Sequence, residues 1–187
     1  MQFNGRALAL TTATVLTGLS AGLYAAFGYA VMPGLAQADD RTFVVAMQEI
    51  NQAIQNGWFM IIFAGSLLAL VSAAVLHRGT RTLPWILAAL VLYVVVLATT
   101  MGVNVPLNDD LDTARGGFAK ARADFEDDWV TWNTVRTVVN LAVFGLTAWA
   151  LRLSGAAQRG SRPESASARS NAVAPAGGST GSANPSY

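Results

Sequence analysis

The chain has no cysteine and a single histidine, His77. The first absence excludes disulfides, thiolate metal sites, iron–sulfur clusters and cysteine nucleophiles. The second excludes bis-histidine haem and multi-histidine metal centres. Charge is also scarce: only 12% of residues are Asp, Glu, Lys or Arg, against about 25% in an ordinary soluble domain. With 53% hydrophobic residues, the composition is that of an integral membrane protein. The net charge of +1 points to no class of partner, and no nucleic acid is expected. No metal and no resident cofactor are expected either, so any redox chemistry must use a borrowed cofactor, a quinone-like substrate or none.

What is present is four apolar runs, at residues 7–32, 58–76, 83–103 and 134–151, the first expected to end at Pro33-Gly34. Each approaches the ~20 residues that a helix needs to cross a bilayer. The fold class expected is therefore all-α, an integral membrane four-helix bundle over residues 1–154. The first run follows Arg6 and precedes Ala36-Gln37-Ala38, which has the form of a signal-peptidase site. It is too long for the h-region of a cleaved leader, and so is expected to remain as a span.

Positive charge sets the expected orientation. With a cytoplasmic N-terminus, the inner segments hold Arg6, Arg78, Arg81, Arg152, Arg159, Arg162 and Arg169, against Arg41, Arg115, Lys120 and Arg122 outside. Both termini are thus expected in the cytoplasm, across the plasma membrane. Residues 155–187 are rich in Ser, Ala, Gly, Pro and Arg, and read as a disordered cytoplasmic tail.

Between the first two runs, residues 42–56 read as a short interfacial helix. Val44, Met47, Ile50 and Ile54 form its apolar stripe, and Gln48, Asn51, Gln52 and Gln55 a polar one. Pro106 is expected to stop the third helix, with Asn108 or Asp109 capping the next segment. Residues 112–128 read as a charged helix feeding the fourth span. Glu126-Asp127-Asp128 is placed where that span begins, so that acids meet the positive end of the macrodipole. Gly18-x-x-x-Gly22 and Gly65-x-x-x-Ala69 suit close helix packing.

The fourth run opens on the feature most suggestive of a site. Trp129, Trp132, Asn133, Arg136 and Asn140 recur at helical spacing and are expected on one face. A cation near membrane depth is expensive and turns toward protein or a polar cavity. The competing structural account pairs Arg136 with Asp109, Asp110 or Asp128, leaves Asn104 and Asn108 as caps, and makes the tryptophans an interfacial belt.

Asn104-x-Pro106-x-Asn108, Leu111, and then Trp129-x-x-Trp132-Asn133-x-x-Arg136 resemble the signature of the DUF1772 membrane proteins, the anthrone oxygenase-like family. Met32-Pro33-Gly34-Leu35, Met47-Gln48-Glu49-Ile50-Asn51 and Asn56 agree with it. The resemblance covers residues 7–152. It implies cofactor-independent oxidation of a lipophilic phenolic or polyketide-like substrate in a pocket at the outer end of helices three and four. It also implies roles for residues. Arg136 would pair with the substrate anion, Asn104, Asn108 and Asn133 would orient carbonyl and hydroxyl groups, and Trp129 and Trp132 would stack on the rings. Arg136, Asn133 and Asn108 are the catalytic candidates; Trp129, Trp132, Asn104, Asn51 and Gln48 are the substrate-binding ones. The base is left open between Asp109 and Asp128, His77 falling on the opposite side.

The expected partners are the bilayer and a lipophilic aromatic small molecule. The alternative is a non-enzymatic membrane protein that binds lipid or quinone, or a structural or interaction subunit. A transporter is disfavoured by the lack of an inverted repeat, and a pore by the lack of a charged ring within the spans.

Overall fold

The computed structural model describes residues 5–114 and 117–160. Helices form nearly all of them: α1 (Gly5–Ala26), a π-helical turn (Phe27–Val31), α2 (Met32–Leu35), α3 (Asp40–Ile54), α4 (Gly57–Leu76), α5 (Leu83–Thr99), a second π turn (Thr100–Asn104), α6 (Val105–Thr113) and α7 (Phe118–Gly160). Four helical stretches are long and apolar enough to cross a membrane, namely Gly5–Leu35, Gly57–Leu76, Leu83–Thr113 and Phe118–Ala156. The chain is an integral membrane protein whose helices form a bundle.

The helices run further than the apolar runs suggest, for local reasons. Pro33 does not end the first stretch, because it enters as an early residue of α2, where its missing N–H has no helical partner to lose. Pro106 likewise opens α6 after the π turn, so the third helix continues to Thr113 instead of stopping. Asn108 and Asp109 then lie within α6 and cap nothing. The real reversal comes after Thr113, with Gly117 at φ +89°, a conformation that favours glycine. Glu126, Asp127 and Asp128 sit inside α7, which starts at Phe118, so they are no N-terminal acids. At 43 residues, α7 is about 65 Å long, roughly twice the ~30 Å hydrocarbon layer. It continues past Gly155, where the expected tail was to start; residues 161–187 of that tail lie outside the described residues.

The bundle is held by three apolar clusters. Leu10, Ala73, Ala74, Ile86 and Ala150 pack at one end. Ala13, Tyr24, Ala69, Leu70, Ala89, Tyr93, Val96 and Val143 fill the middle. Arg6 Nε donates to Leu76 O at 2.7 Å, fixing the start of α1 to the end of α4. Small residues set the spacing. A Cβ on Gly18 would lie 3.0 Å from the Phe144 ring, and one on Gly65 3.2 Å from Leu16 Cδ1. Gly22, the second glycine of that motif, faces open space.

A polar seam joins α1 to α7. Asn133 Nδ2 donates to Tyr24 O at 3.2 Å, Asn140 Nδ2 donates to Ser20 Oγ at 2.7 Å, and Thr17 Oγ1 and Thr147 Oγ1 stand 3.4 Å apart. Positions 133, 140 and 147 repeat every seven residues, the period that keeps one helix face against a neighbour. Each such bond in a membrane contributes about 0.6 kcal/mol.

At the other end, Phe27, Met32, Phe43, Val44, Met47, Leu111, Ala121, Phe125 and Trp129 form a third cluster. It seats α3, whose N-cap Asp39 accepts from Thr42 N at 3.1 Å. The short helix expected at 42–56 is thus present at Asp40–Ile54, with Phe43, Val44, Met47 and Asn51 buried. Arg122 anchors its entry. Nη1 donates to Ala38 O at 3.0 Å and to Asp40 Oδ1 at 3.2 Å, Nη2 to Ala36 O at 3.2 Å, and Nε to Glu126 Oε2 at 2.7 Å. The guanidinium also lies over the Phe43 ring, 4.6 Å from its centre.

Candidate functional site

Below the third cluster is a cavity of about 250 Å³. Its wall draws on six segments: Leu23 and Tyr24 from α1 with Phe27 of the first π turn, Met47, Ile50, Asn51 and Ile54 from α3 with Gln55 just past its end, Phe59 from α4, Thr100 and Asn104 from the second π turn, Val105, Asn108 and Asp109 from α6, and Trp129 and Arg136 from α7. Apolar surface predominates, and a few polar groups converge on it, as small-molecule sites require.

Both π turns border the cavity. A π turn inserts a residue into the helical repeat and re-aims the side chains beyond it, which is why such turns gather at functional sites. Phe27 begins the first, and Thr100 and Asn104 are the ends of the second.

Arg136 is the cation of the wall. It is only 7% exposed. Its guanidinium lies 4.3 Å from the centre of the Tyr24 ring and 5.3 Å from that of Trp129. Nε donates to Asn133 Oδ1 at 3.1 Å. No carboxylate of the described residues pairs with it; the ion pairs among them are Lys120–Asp124, Arg122–Asp40 and Arg122–Glu126. The structural account in which Arg136 bridges to Asp109, Asp110 or Asp128 is therefore not the arrangement found. Two ring faces and an amide compensate part of the cost of burying the charge, and its Nη groups make no hydrogen bond with the described residues.

The remaining candidates divide. Trp129 lines the cavity; its Nε1 donates to Asn108 Oδ1 at 2.8 Å, and its ring packs on Phe27 and Phe125 with centroids 5.6 and 5.9 Å away. Asn108 thus fixes that indole. Asn104 and Asn51 are in the wall, 1% and 4% exposed. Asn133 is fully buried, but behind the wall: one end of its amide holds Arg136 and the other bonds α1.

Two expected residues are not brought to the cavity. Trp132 points outward, 40% exposed. Position 132 is 100° per residue around the helix from 133, enough to leave the face shared by Trp129, Asn133, Arg136 and Asn140. Gln48 donates Nε2 to Leu111 O at 2.9 Å and ties α3 to α6. Of the two carboxylates considered as bases, Asp109 lines the cavity, and exposed Asp128 does not.

Leu23, Tyr24, Phe27, Phe59 and Thr100 are also in the wall without having been singled out in the sequence. Four of the five are apolar or aromatic and look like ordinary lipid-facing or core residues. Tyr24 alone carried a signal, as a phenol deep in an apolar run.

Comparison with known proteins bears on this arrangement. A family model described as anthrone oxygenase matches residues 53–146. That segment holds α4 to α6 and the part of α7 with Trp129, Asn133 and Arg136. No curated protein and no solved structure matches the chain.

Proposed function

Because the chain belongs to the anthrone oxygenase family, we propose that it oxidises a lipophilic phenolic substrate with molecular oxygen in the cavity beside Arg136. The observation that carries this reading is a buried guanidinium in a largely apolar wall that forms no ion pair with any carboxylate of the described residues. Such a group is arranged to meet negative charge supplied by a ligand.

The chemistry needs little beyond that. An anthrone methylene is acidic because its anion is an extended aromatic phenolate. Asp109, the carboxylate of the cavity wall among the described residues, accepts the proton. Arg136 faces the oxygen on which the negative charge settles, with Trp129 and Tyr24 holding the guanidinium and flanking the rings. The anion passes one electron to dioxygen, giving a carbon radical and superoxide. Their recombination forms the C–O bond, and Asp109 returns the proton to the peroxide. Loss of the second methylene proton then breaks the O–O bond and releases water. The balance is one CH₂ and one O₂ to one C=O and one H₂O. The cavity walls keep bulk water from the anion, and the bilayer delivers a flat, apolar substrate. The excess of Lys and Arg on the expected inner segments supports a topology with both termini in the cytoplasm and the cavity toward the outer end of the bundle.

The test is oxygen uptake with emodin anthrone by the purified full chain, against a no-protein control that measures autoxidation. Enhanced uptake that Arg136→Met lowers by about a hundredfold supports the reading. A rate no faster than autoxidation contradicts it.

A further inference from the structure

The end of the bundle opposite the cavity gathers cations. Leu10, Ala73, Ala74, Ile86 and Ala150 pack together there, so the residues just beyond them on each helix emerge side by side. These include Arg6, four before Leu10, Arg78, four after Ala74, Arg81, five before Ile86, and Arg152, two after Ala150. All four are exposed, and none forms an ion pair with a described residue. Every described Asp and Glu lies within residues 39–49 or 109–128, beside α3, on α6 or early in α7. Lys120 and Arg122, on that acidic side, are both paired. Two tryptophans mark the depth of the unpaired cations. Trp85 and Trp149, 42% and 39% exposed, meet edge to face with ring centres 6.3 Å apart. The Arg152 guanidinium lies over Trp149, 4.7 Å from its centre. Half-exposed indoles at the end of a spanning helix sit at headgroup level, which puts the arginines among the phosphates. Their backbone is fixed: Arg6 is tied to Leu76 O, and Thr80 Oγ1 donates to His77 O at 2.7 Å within the turn that carries Arg78 and Arg81.

We propose that this end binds an anionic phospholipid of the surrounding leaflet, its phosphate seated among Arg6, Arg78, Arg81 and Arg152 and its acyl chains against Trp85 and Trp149. A guanidinium suits a phosphate because its planar fork donates two parallel, charge-assisted hydrogen bonds. A zwitterionic headgroup brings an ammonium of its own, which unpaired cations repel; a phosphatidylglycerol headgroup brings no such charge. The bound lipid ties together, from outside, the helix ends that the apolar cluster joins from within. In the proposed topology this leaflet is the cytoplasmic one, whose anionic lipids attract basic residues at the surface.

The test uses the full chain in nanodiscs of phosphatidylcholine and phosphatidylglycerol in equal parts. After transfer to mild detergent, native mass spectrometry counts the lipid that stays bound. The wild type is expected to retain phosphatidylglycerol over phosphatidylcholine by about fivefold or more, and to melt about 2–4 °C higher in the mixture than in phosphatidylcholine alone. Arg78→Gln with Arg81→Gln should cut the retention ratio to about twofold or less and abolish the shift, while melting as the wild type does in phosphatidylcholine. Arg152→Gln, on another helix, should lower the ratio by itself, and it decides the matter if the paired variant unfolds. Arg78→Lys with Arg81→Lys should recover part of the preference, since charge remains but the fork is lost. Arg41→Gln removes a cation from the acidic side and should change nothing. Equal retention of the two lipids overturns the proposal. So does an enrichment that survives the three glutamine substitutions, or one that Arg41→Gln lowers as much, which would make it a response to total charge. Neither readout involves the cavity or turnover, so the oxygenase reading and this one stand or fall separately.

Discussion

The Arg136 guanidinium lies 4.3 Å from the centre of the Tyr24 ring, so a cation on α7 is held by an aromatic face on α1. This contact joins two helices at the depth of the cavity and orients the charge toward it. Tyr24→Phe preserves the face, whereas Tyr24→Leu removes it. The leucine variant should lose about 0.5–2 kcal/mol of stability and bind substrate more weakly, while the phenylalanine variant stays close to wild type. Thermal unfolding and KM values for the two variants check this.

Arg136→Lys should fail to rescue activity. A planar guanidinium stacks between two rings and keeps its Nη donors free for a ligand; an ammonium on a flexible stem does neither. The expected loss in kcat is about a hundredfold, measured with emodin anthrone.

Asn133 should act only through Arg136 and α1. Asn133→Leu strips Arg136 Nε and Tyr24 O of their partners, a cost of about 1–3 kcal/mol for each buried group. Stability should fall with activity. Asn133→Gln, with a longer reach, should restore part of both.

Asp109→Asn should slow turnover by about 10²–10⁴ with little change in melting temperature, because Asp109 is exposed and its carboxylate makes no ion pair with the described residues. Asp128→Asn should leave turnover near wild type. Steady-state rates for the pair separate the cavity carboxylate from the one outside it.

The seat of α3 should respond to acid. Hydrogen bonds from Thr42 hold the Asp39 carboxyl below its usual value of 3.8. The folded value is depressed, so its contribution is present above the unfolded value and is lost as pH falls through the folded one. Protection of the α3 amides, taken relative to their intrinsic exchange rates, should therefore fall below about pH 4 in the wild type. In Asp39→Asn that step should be absent.

The spans were legible because apolar runs of membrane length are the strongest signal such a chain carries. Helix ends were less so. Pro33 and Pro106 read as stops, yet each sits at the start of a new helical turn, where proline is tolerated. Neither π turn leaves a mark on hydrophobic periodicity, and those turns set the positions of Phe27, Thr100 and Asn104. Arg136 was legible as a cation in the wrong solvent. Its partners were not, since Tyr24 is 112 positions away in the sequence and spacing along one helix cannot show a face on another. Trp132 misled for the opposite reason: helical spacing placed it near Arg136, but one residue of rotation carried it to the outer surface.

The central claim, that Arg136 meets an anionic oxygen of the ligand, has a direct optical test. Emodin changes colour on ionising, so its phenol can be titrated while bound to the full chain. An apolar cavity alone favours the neutral phenol and raises its apparent pKa; an unpaired cation favours the phenolate and lowers it. The account predicts a fall of about one unit or more on binding to the wild type, equivalent to about 1.4 kcal/mol, and a rise in Arg136→Met. A bound phenol whose pKa rises equally in both proteins would contradict it.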